Sequence, residues 1–270
     1  MRWSERQRAM LEEMGIRLWL PPGAAPVDGG EADQGARKAP ADVLPAAPGG
    51  LAPAVRYAPP LPGPGLPAAD SNAGSGAPGL DWSTLAARAA ACTACPLCAG
   101  RTKSVFGAGH VDADWMVVGD APDADDDREG EPFAGRAGRL LENMLAAIGL
   151  TRSNAPSTRQ AYVTHTVKCR PPGQRNPEAA EVARCEPFLL RQVQLVRPRI
   201  ILAMGRVAAQ GLTGSSDAIG KLRGRVHRYA GVPVVVTYHP AYLLRHPQDK
   251  ADAWADLCLA LETLQAPAPA

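Results

Sequence analysis

Four short apolar runs interrupt a chain in which apolar and polar residues otherwise follow mixed patterns. They lie at Trp115–Val118, Tyr162–Thr164, Ile200–Met204 and Val232–Thr237. Such near-continuous runs are typical of strands buried on both faces, as in parallel sheets that helices cover. Helical patterns lie between the runs, so the alternation predicts a three-layer α/β/α domain with the four runs as parallel strands.

Three helices are predicted between these strands. The first has an apolar stripe formed by Leu140, Leu141, Met144, Leu145 and Ile148. Gly149 follows that stripe and is expected to end the helix. A second helix is expected to begin at Asn176-Pro177. Its apolar face is formed by Val182, Cys185 and Leu189. A third is expected near Ala208.

The segment before the domain has a different composition. Residues 1–20 have the spacing of a short amphipathic helix, with apolar positions at Met10, Leu11, Met14 and Leu18. Residues 21–79 are mainly Ala, Pro and Gly, and they hold too few large apolar side chains to offset their ordering entropy. We therefore expect a disordered linker there and one folded domain at 80–265. The N-terminal helix could bind a protein partner.

The N-terminal sequence does not have the pattern of a secretory signal. Glu5, Glu12 and Glu13 interrupt any apolar run, and no stretch approaches the roughly 20 apolar residues of a membrane span. We expect a cytoplasmic protein that does not bind membranes. In that compartment cysteines stay reduced, so the six cysteines suggest a metal site or catalysis rather than disulfides.

Charge is distributed unevenly along the chain although the net charge is only +2. Residues 168–250 hold fourteen Lys and Arg against five Asp and Glu, a local net charge of +9, whereas residues 112–131 hold nine acids and one Arg. A basic half suits a polyanionic partner. An Arg-rich soluble surface without such a partner is the alternative interpretation.

Each predicted strand is followed by residues suited to chemistry. Gly119-Asp120 follows the first strand, His165 the second, Arg206 the third and His239 the fourth. Ligands of such folds bind outside the carboxyl ends of the strands. We therefore expect an acid, two histidines and arginines to converge on one crevice.

The cysteines have the spacing of a four-thiolate site. Cys92 and Cys95 form a Cys-x2-Cys pair, and Cys169 and Cys185 lie sixteen residues apart. The spacing is compatible with zinc and with an iron–sulfur cluster, and the sixteen-residue gap fits a zinc ribbon poorly. Cys185 alone could be a buried core residue. Cys98 is then a spare, and Cys258 is expected in the core.

Several motifs in order resemble the family 4 uracil-DNA glycosylases, which carry a [4Fe–4S] cluster. The motifs are Cys92-x2-Cys95-x-Leu97-x3-Arg101, Gly119-Asp-Ala-Pro, Glu131-Pro-Phe133-Ala-Gly135-Arg-Ala-Gly138, Val167-Lys-Cys169-Arg-Pro-Pro, Cys185 and His239-Pro-Ala-Tyr-Leu-Leu-Arg245. The resemblance covers about residues 85–264 and implies a four-stranded parallel sheet. It implies a cluster held by Cys92, Cys95, Cys169 and Cys185, with Cys98 outside the ligand set.

The resemblance also implies the chemistry of the crevice. An enzyme that excises uracil flips the base out of DNA and reads its Watson–Crick edge in a pocket. Phe133 holds the stacking position and His239 the position of the donor to the leaving uracil oxygen. Asp120 would orient the attacking water and stabilise the cationic sugar. The motifs also place Gly119, Ala121 and Arg245 among the substrate-binding residues.

Three residues depart from the family pattern. Asp120 replaces a Glu, Asp123 replaces a Gly, and His165 stands where an Asn normally reads uracil. An amide presents a donor and an acceptor side by side, whereas neutral imidazole has them on opposite edges, so His165 is expected to donate to uracil O4.

The resemblance implies a monomeric, monofunctional hydrolase acting on uracil in single- or double-stranded DNA. Two alternatives remain at this point. One is a cluster-bearing DNA-binding protein that has lost hydrolysis, and the other is a relative that binds uracil sites tightly or covalently through a histidine.

Overall fold

The computed structural model describes residues 79–152 and 156–265. The predicted N-terminal helix at 1–20 and the predicted linker at 21–79 lie outside the described residues, apart from Gly79. The described part of the chain contains no helix long and apolar enough to cross a membrane.

Helices and strands alternate along most of the described chain. The first half contains α1 (Trp82–Ala91), β1 (Trp115–Gly119), α2 (Ala124–Glu129), α3 (Arg136–Ala147) and β2 (Ala161–His165). The second half contains α4 (Ala179–Val196), β3 (Ile200–Met204), α5 (Arg206–Thr213), α6 (Ile219–Leu222), β4 (Val226–Tyr229), β5 (Val232–Thr237), α7 (Pro240–Arg245) and α8 (Lys250–Gln265). Short 3-10 turns lie at Pro96–Gly100, Ser157–Arg159, Pro172–Gln174 and Pro247–Asp249.

The strands form one five-stranded sheet in the order β2-β1-β3-β5-β4. The four strands predicted from apolar runs are β1, β2, β3 and β5, and they pair in parallel. Their carboxyl ends therefore meet at one edge of the sheet, as the sequence predicts. The α/β/α fold class and its four parallel strands are confirmed.

The fifth strand, β4, was not predicted. It runs antiparallel to β5 at the sheet edge, and its side chains alternate between exposed and half-buried positions. Edge strands of this kind lack the continuous apolar run that marks strands covered on both faces. Val226, with 44% of its surface exposed, illustrates this difference.

Two apolar cores cover the two faces of the sheet, because alternate side chains of a strand point to opposite faces. Trp115 and Val117 of β1 pack in the core that contains much of α3 and α8. Met116 and Val118 pack on the other face with parts of α4 and α5. Cys258 packs against the first core, in agreement with its predicted place.

The predicted helices are present, with one displaced start. The stripe at 140–148 lies buried on α3, and Gly149 adopts the left-handed conformation after it with φ +78°. The helix expected from Asn176 begins instead after Glu178. There the N–H of Glu178 donates to the Glu181 carboxylate (2.7 Å), forming a capping box that sets the start of α4.

Candidate active site and cysteine cluster

A cavity of about 640 Å³ opens at the carboxyl edge of the parallel strands. Four of the residues predicted for the site line it: Asp120, Ala121, His239 and Arg245. Arg175 and Arg206, from the basic half of the sequence, also line it. Phe133 and His165 lie buried beside His239 rather than in the cavity wall.

Asp120 lies between β1 and the start of α5. The backbone N–H of Ala208 donates to its Oδ1 (2.8 Å). Gly205 has φ +108°, and a Cβ there would lie 2.3 Å from Asp120 Oδ2, so this close approach requires glycine. Burial raises the pKa of Asp120 to about 6, although backbone N–H groups and the charge of Arg206 oppose the shift. Asp120 is therefore mostly ionised at neutral pH.

Asp123, which stands where the family usually has Gly, is the N-cap of α2. Its Oδ1 accepts from the backbone N–H groups of Asp125 (2.8 Å) and Asp126 (3.0 Å). Carboxylates at this position satisfy N–H groups that would otherwise lack partners. The substitution therefore has a local structural explanation, which is the stabilisation of α2 at the rim of the cavity.

The aromatic ring of Phe133 packs against the imidazole rings of both histidines, His165 and His239. Its ring centroid lies 4.7 Å from that of His165 and 5.2 Å from that of His239, at interplanar angles of 31° and 24°. Its backbone φ is +56°, which is uncommon for a non-glycine residue. A Cβ at Gly119 would lie 2.6 Å from Phe133 Cζ. Gly119 therefore leaves the space that the aromatic ring occupies.

His239 presents an unused nitrogen. The N–H of Ala241 donates to its Nδ1 (3.2 Å), so the proton of the neutral ring is on Nε2. That Nε2 is buried and has no hydrogen-bond partner among the described residues. Burial lowers the pKa of His239 to about 3, so the ring is neutral at physiological pH. This geometry provides a buried N–H donor that is not yet satisfied.

His165 has a partner that sequence reasoning missed. Its Nε2 lies 2.9 Å from Oδ2 of Asp126 on α2, and both side chains are buried. Its Nδ1 is buried without a partner among the described residues. Asp126 belongs to a run of acidic residues that sequence patterns identify only as a charged segment. No spacing in that run signals which carboxylate turns inward.

The cysteines predicted as ligands come together at a second site. A small cavity is lined by Cys92, Cys95, Cys98, Cys169 and Cys185. The structure thus brings five cysteines together for four places, and Cys98 is among them. The Arg101 guanidinium donates to Sγ of Cys169 (3.1 Å). Burial raises the pKa of the Cys95 and Cys169 thiols, and it raises that of Cys185 to about 11.

The arrangement of these cysteines bears on what they could hold. Within 79–152 and 156–265, no three His, Cys, Asp or Glu side chains are grouped closely enough to hold a single metal ion. The cysteines of a cluster bind different irons, so their sulfurs lie farther apart than those around one ion. A shared cavity without tight sulfur grouping is therefore compatible with a cluster, and the donor set of thiols suits iron–sulfur chemistry.

Lys168 lies between the two sites. Its Nζ donates to Oγ1 of Thr164 (2.6 Å) and to the backbone carbonyl of His165 (2.7 Å). The side chain is fully buried, and burial lowers its pKa to about 8. The ammonium group of this lysine is thus hydrogen-bonded at the end of β2, and the side chain does not line the large cavity.

The chain is similar in sequence to known proteins over most of the part that the structure describes. Residues 106–259 match the model of the uracil DNA glycosylase superfamily. The chain is 39% identical over 173 residues to a type-4 uracil-DNA glycosylase of Archaeoglobus fulgidus, covering 61% of this chain and 84% of the relative. It is 37% identical over 176 residues to that of Pyrobaculum aerophilum, covering 62% and 87%. It is 40% identical over 157 residues to that of Thermotoga maritima, covering 57% and 79%. The chain therefore belongs to the uracil-DNA glycosylase superfamily, and within it to the type-4 uracil-DNA glycosylases.

Proposed function

We propose that this protein removes uracil from DNA by hydrolysing the N-glycosidic bond, the first step of base-excision repair. Its membership of the type-4 uracil-DNA glycosylases supports this function. The single structural observation that carries it is the buried, unpartnered Nε2–H of His239 at the carboxyl edge of the sheet. A leaving uracil develops negative charge on its oxygen, and a donor in a dry site stabilises that charge.

His239 acts as the neutral donor in this proposal. Its pKa of about 3 means that the ring does not transfer a proton as imidazolium at neutral pH. It stabilises the departing uracil anion by donating the Nε2–H hydrogen bond. The contact from Ala241 to Nδ1 fixes the ring and the tautomer in advance, so little reorganisation is needed during the reaction.

Asp120 supplies the negative charge that the reaction requires. As the glycosidic bond breaks, the sugar becomes cationic, and an ionised carboxylate nearby stabilises it. With a pKa of about 6, Asp120 is mostly ionised at pH 7. The free lone pairs of its carboxylate would orient the attacking water, while the Ala208 N–H holds Oδ1 in place.

The remaining predicted residues bind the substrate. Phe133 would stack on the flipped base, and Gly119 leaves the space in which the Phe133 ring and the His165 imidazole lie. Ala121 and Arg245 line the cavity, and Arg245 together with Arg206 would contact the phosphate backbone. The expected partner is therefore uracil-containing DNA, single- or double-stranded.

We propose that the enzyme is monofunctional. A lyase step would need an amine that attacks the sugar and forms a Schiff base. No lysine is found in the wall of the large cavity in the described part of the chain. The nearby Lys168 is fully buried and hydrogen-bonded to Thr164 and His165. Hydrolysis by water therefore fits the site better than amine attack.

We also propose that Cys92, Cys95, Cys169 and Cys185 hold a [4Fe–4S] cluster. Their common cavity and the Arg101 hydrogen bond to a thiol support this assignment. Bound there, a cluster would supply a covalent cross-link between the segment after α1, the loop after β2, and α4. Arg101 and Lys168 would offset part of the negative charge of its thiolates.

The decisive experiment measures uracil excision. Purified protein is incubated with oligonucleotides containing one uracil, as single strands and as duplexes, and abasic sites are detected by alkaline strand cleavage. We expect excision from uracil DNA and none from the matched thymine oligonucleotide. Folded, cluster-containing protein that binds uracil DNA without releasing free uracil would instead support the DNA-binding alternative. A covalent adduct on denaturing gels would support the covalent-binding alternative.

A further inference from the structure

Asp126 is an ionised hydrogen-bond acceptor for His165. Its Oδ1 accepts from the backbone N–H of Ala134 (2.7 Å), and its Oδ2 faces Nε2 of His165 (2.9 Å). Burial raises the pKa of Asp126, but the hydrogen bond from His165 and backbone N–H groups outweigh it, so that pKa lies below its ordinary value. An ionised carboxylate can only accept hydrogen bonds. Nε2 of His165 must therefore carry the proton in this contact.

The other ring nitrogen is left as an acceptor. In a neutral imidazole with its proton on Nε2, Nδ1 carries a lone pair. Nδ1 is buried and unpartnered among the described residues. Nδ1 lies next to Gly119 at the carboxyl end of β1, where a Cβ would come within 2.6 Å of it, and the following residue, Asp120, lines the large cavity. Buried polar atoms normally have partners, so an unfilled acceptor at this edge of the cavity points to a ligand donor.

We propose that Asp126 is a positioning residue that holds His165 in the Nε2–H tautomer, so that Nδ1 accepts a hydrogen bond from N3–H of uracil. This inference rests on the proposed function and assigns the specificity of the same site. Uracil carries a proton on N3, whereas cytosine has a lone pair there. A lone pair on Nδ1 attracts the first and repels the second. The Asp126–His165 pair thus performs the discrimination that an amide performs elsewhere in the family, with an acceptor role in place of the donor role expected from sequence.

The substitution Asp126→Asn reverses the tautomer. The amide oxygen is expected to stay at the Oδ1 position, because the contact of the Ala134 N–H there (2.7 Å) is shorter than that of the Asp123 N–H with Oδ2 (3.4 Å). The amide NH2 then faces Nε2 of His165, which must accept, and the ring proton moves to Nδ1. A donor at Nδ1 suits N3 of cytosine. We expect uracil excision to fall roughly 10- to 100-fold and the ratio of uracil to cytosine excision to fall with it.

Two controls separate this effect from damage to the helix. Glu129→Gln makes the same carboxylate-to-amide change at an exposed position of α2 and should leave excision unchanged. His165→Asn provides a side chain that can rotate to present its oxygen, so adding Asp126→Asn to it should have little further effect. The double-mutant cycle therefore shows a large coupling if Asp126 acts through the tautomer. Equal losses from Asp126→Asn in both backgrounds would overturn the proposal.

A spectroscopic measurement tests the tautomer without relying on activity. The chain has five histidines, so protein labelled with 15N-histidine gives few ring signals, and His165→Asn identifies those of His165. We expect a non-protonated Nδ1 in the wild type and a protonated Nδ1 in Asp126→Asn. A protonated Nδ1 in the wild type overturns the proposal. If the wild type excises no uracil, the proposed function fails, while these spectra still decide the tautomer.

Discussion

The ionised carboxylate of Asp120 should lower the free energy of unfolding and should also be necessary for uracil excision. The substitution Asp120→Asn tests both expectations. The amide is nearly isosteric, and its oxygen can still accept from the Ala208 N–H at the start of α5. The substitution therefore removes the charge while keeping the local contact. We expect the variant to fold more stably than the wild type and to lose at least about 100-fold in excision rate.

The stability gain follows from the pKa shift. Burial raises the pKa of Asp120 from 3.8 to about 6 in the folded protein. Folding therefore favours the protonated form of Asp120. Protonation stabilises the folded protein, and this stabilisation is present below pH 3.8 and is lost as the pH rises through about 6. Above that pH the ionised form lowers the free energy of unfolding by ~3 kcal/mol. Asp120→Asn should recover about 1–3 kcal/mol at pH 7, and much less at pH 4.

Two assays check these expectations. Urea unfolding at pH 7 and pH 4 gives the free energies of unfolding of both proteins. Single-turnover excision by the wild type between pH 5 and 8 should follow one ionisation near 6, with about nine-tenths of the full rate at pH 7 and one-tenth at pH 5. A variant that is less stable than the wild type at pH 7, or one that excises uracil at the wild-type rate, would refute this reasoning.

Three further predictions address the other groups of the two sites. His239→Ala should lower the excision rate by about 10²–10³-fold through loss of the Nε2–H donor. Because the pKa of His239 is about 3, the remaining activity should keep the wild-type pH profile above pH 5. A profile that loses its midpoint near 6 would contradict the assignment of that midpoint to Asp120. Purified protein should be brown with broad absorbance near ~400 nm. Replacing Cys92, Cys95, Cys169 or Cys185 by Ala should bleach or destabilise the protein, whereas Cys98→Ala should keep the colour. Colourless protein that contains one zinc would exclude the cluster. Affinity for DNA should fall steeply as salt rises if Arg206 and Arg245, which line the cavity, bind phosphates as proposed. Arg206→Ala should reduce the salt slope, and salt-independent binding would contradict the electrostatic interpretation.

The sheet could be predicted because its parallel strands are covered on both faces. Burial on both sides demands nearly continuous apolar residues, and β3 and β5 were delimited correctly from that pattern alone. β4 was not predicted, because an edge strand is partly exposed and its composition resembles that of a loop. The start of α4 was misplaced because Asn176-Pro177 and Glu178 all resemble helix starts, and only the Glu178–Glu181 contact decides between them.

The sequence by itself determined which candidate chemical groups lie at the carboxyl edge of the sheet. Strand ends in a parallel sheet converge, so the positions of Asp120 and His239 directly after apolar runs brought them to one crevice. It also determined that cysteines from three separate segments belong together, because their spacing has few other uses.

Only the tertiary structure decided how these groups are tuned. Asp126 and His165 are 39 residues apart, and their contact depends on how α2 packs against the end of β2. The unpartnered nitrogens of His165 and His239 likewise result from contacts with Asp126 and Ala241. Residue types fix the possible donors and acceptors, whereas tautomer and pKa depend on neighbours and burial, which are set by packing between segments distant in the chain.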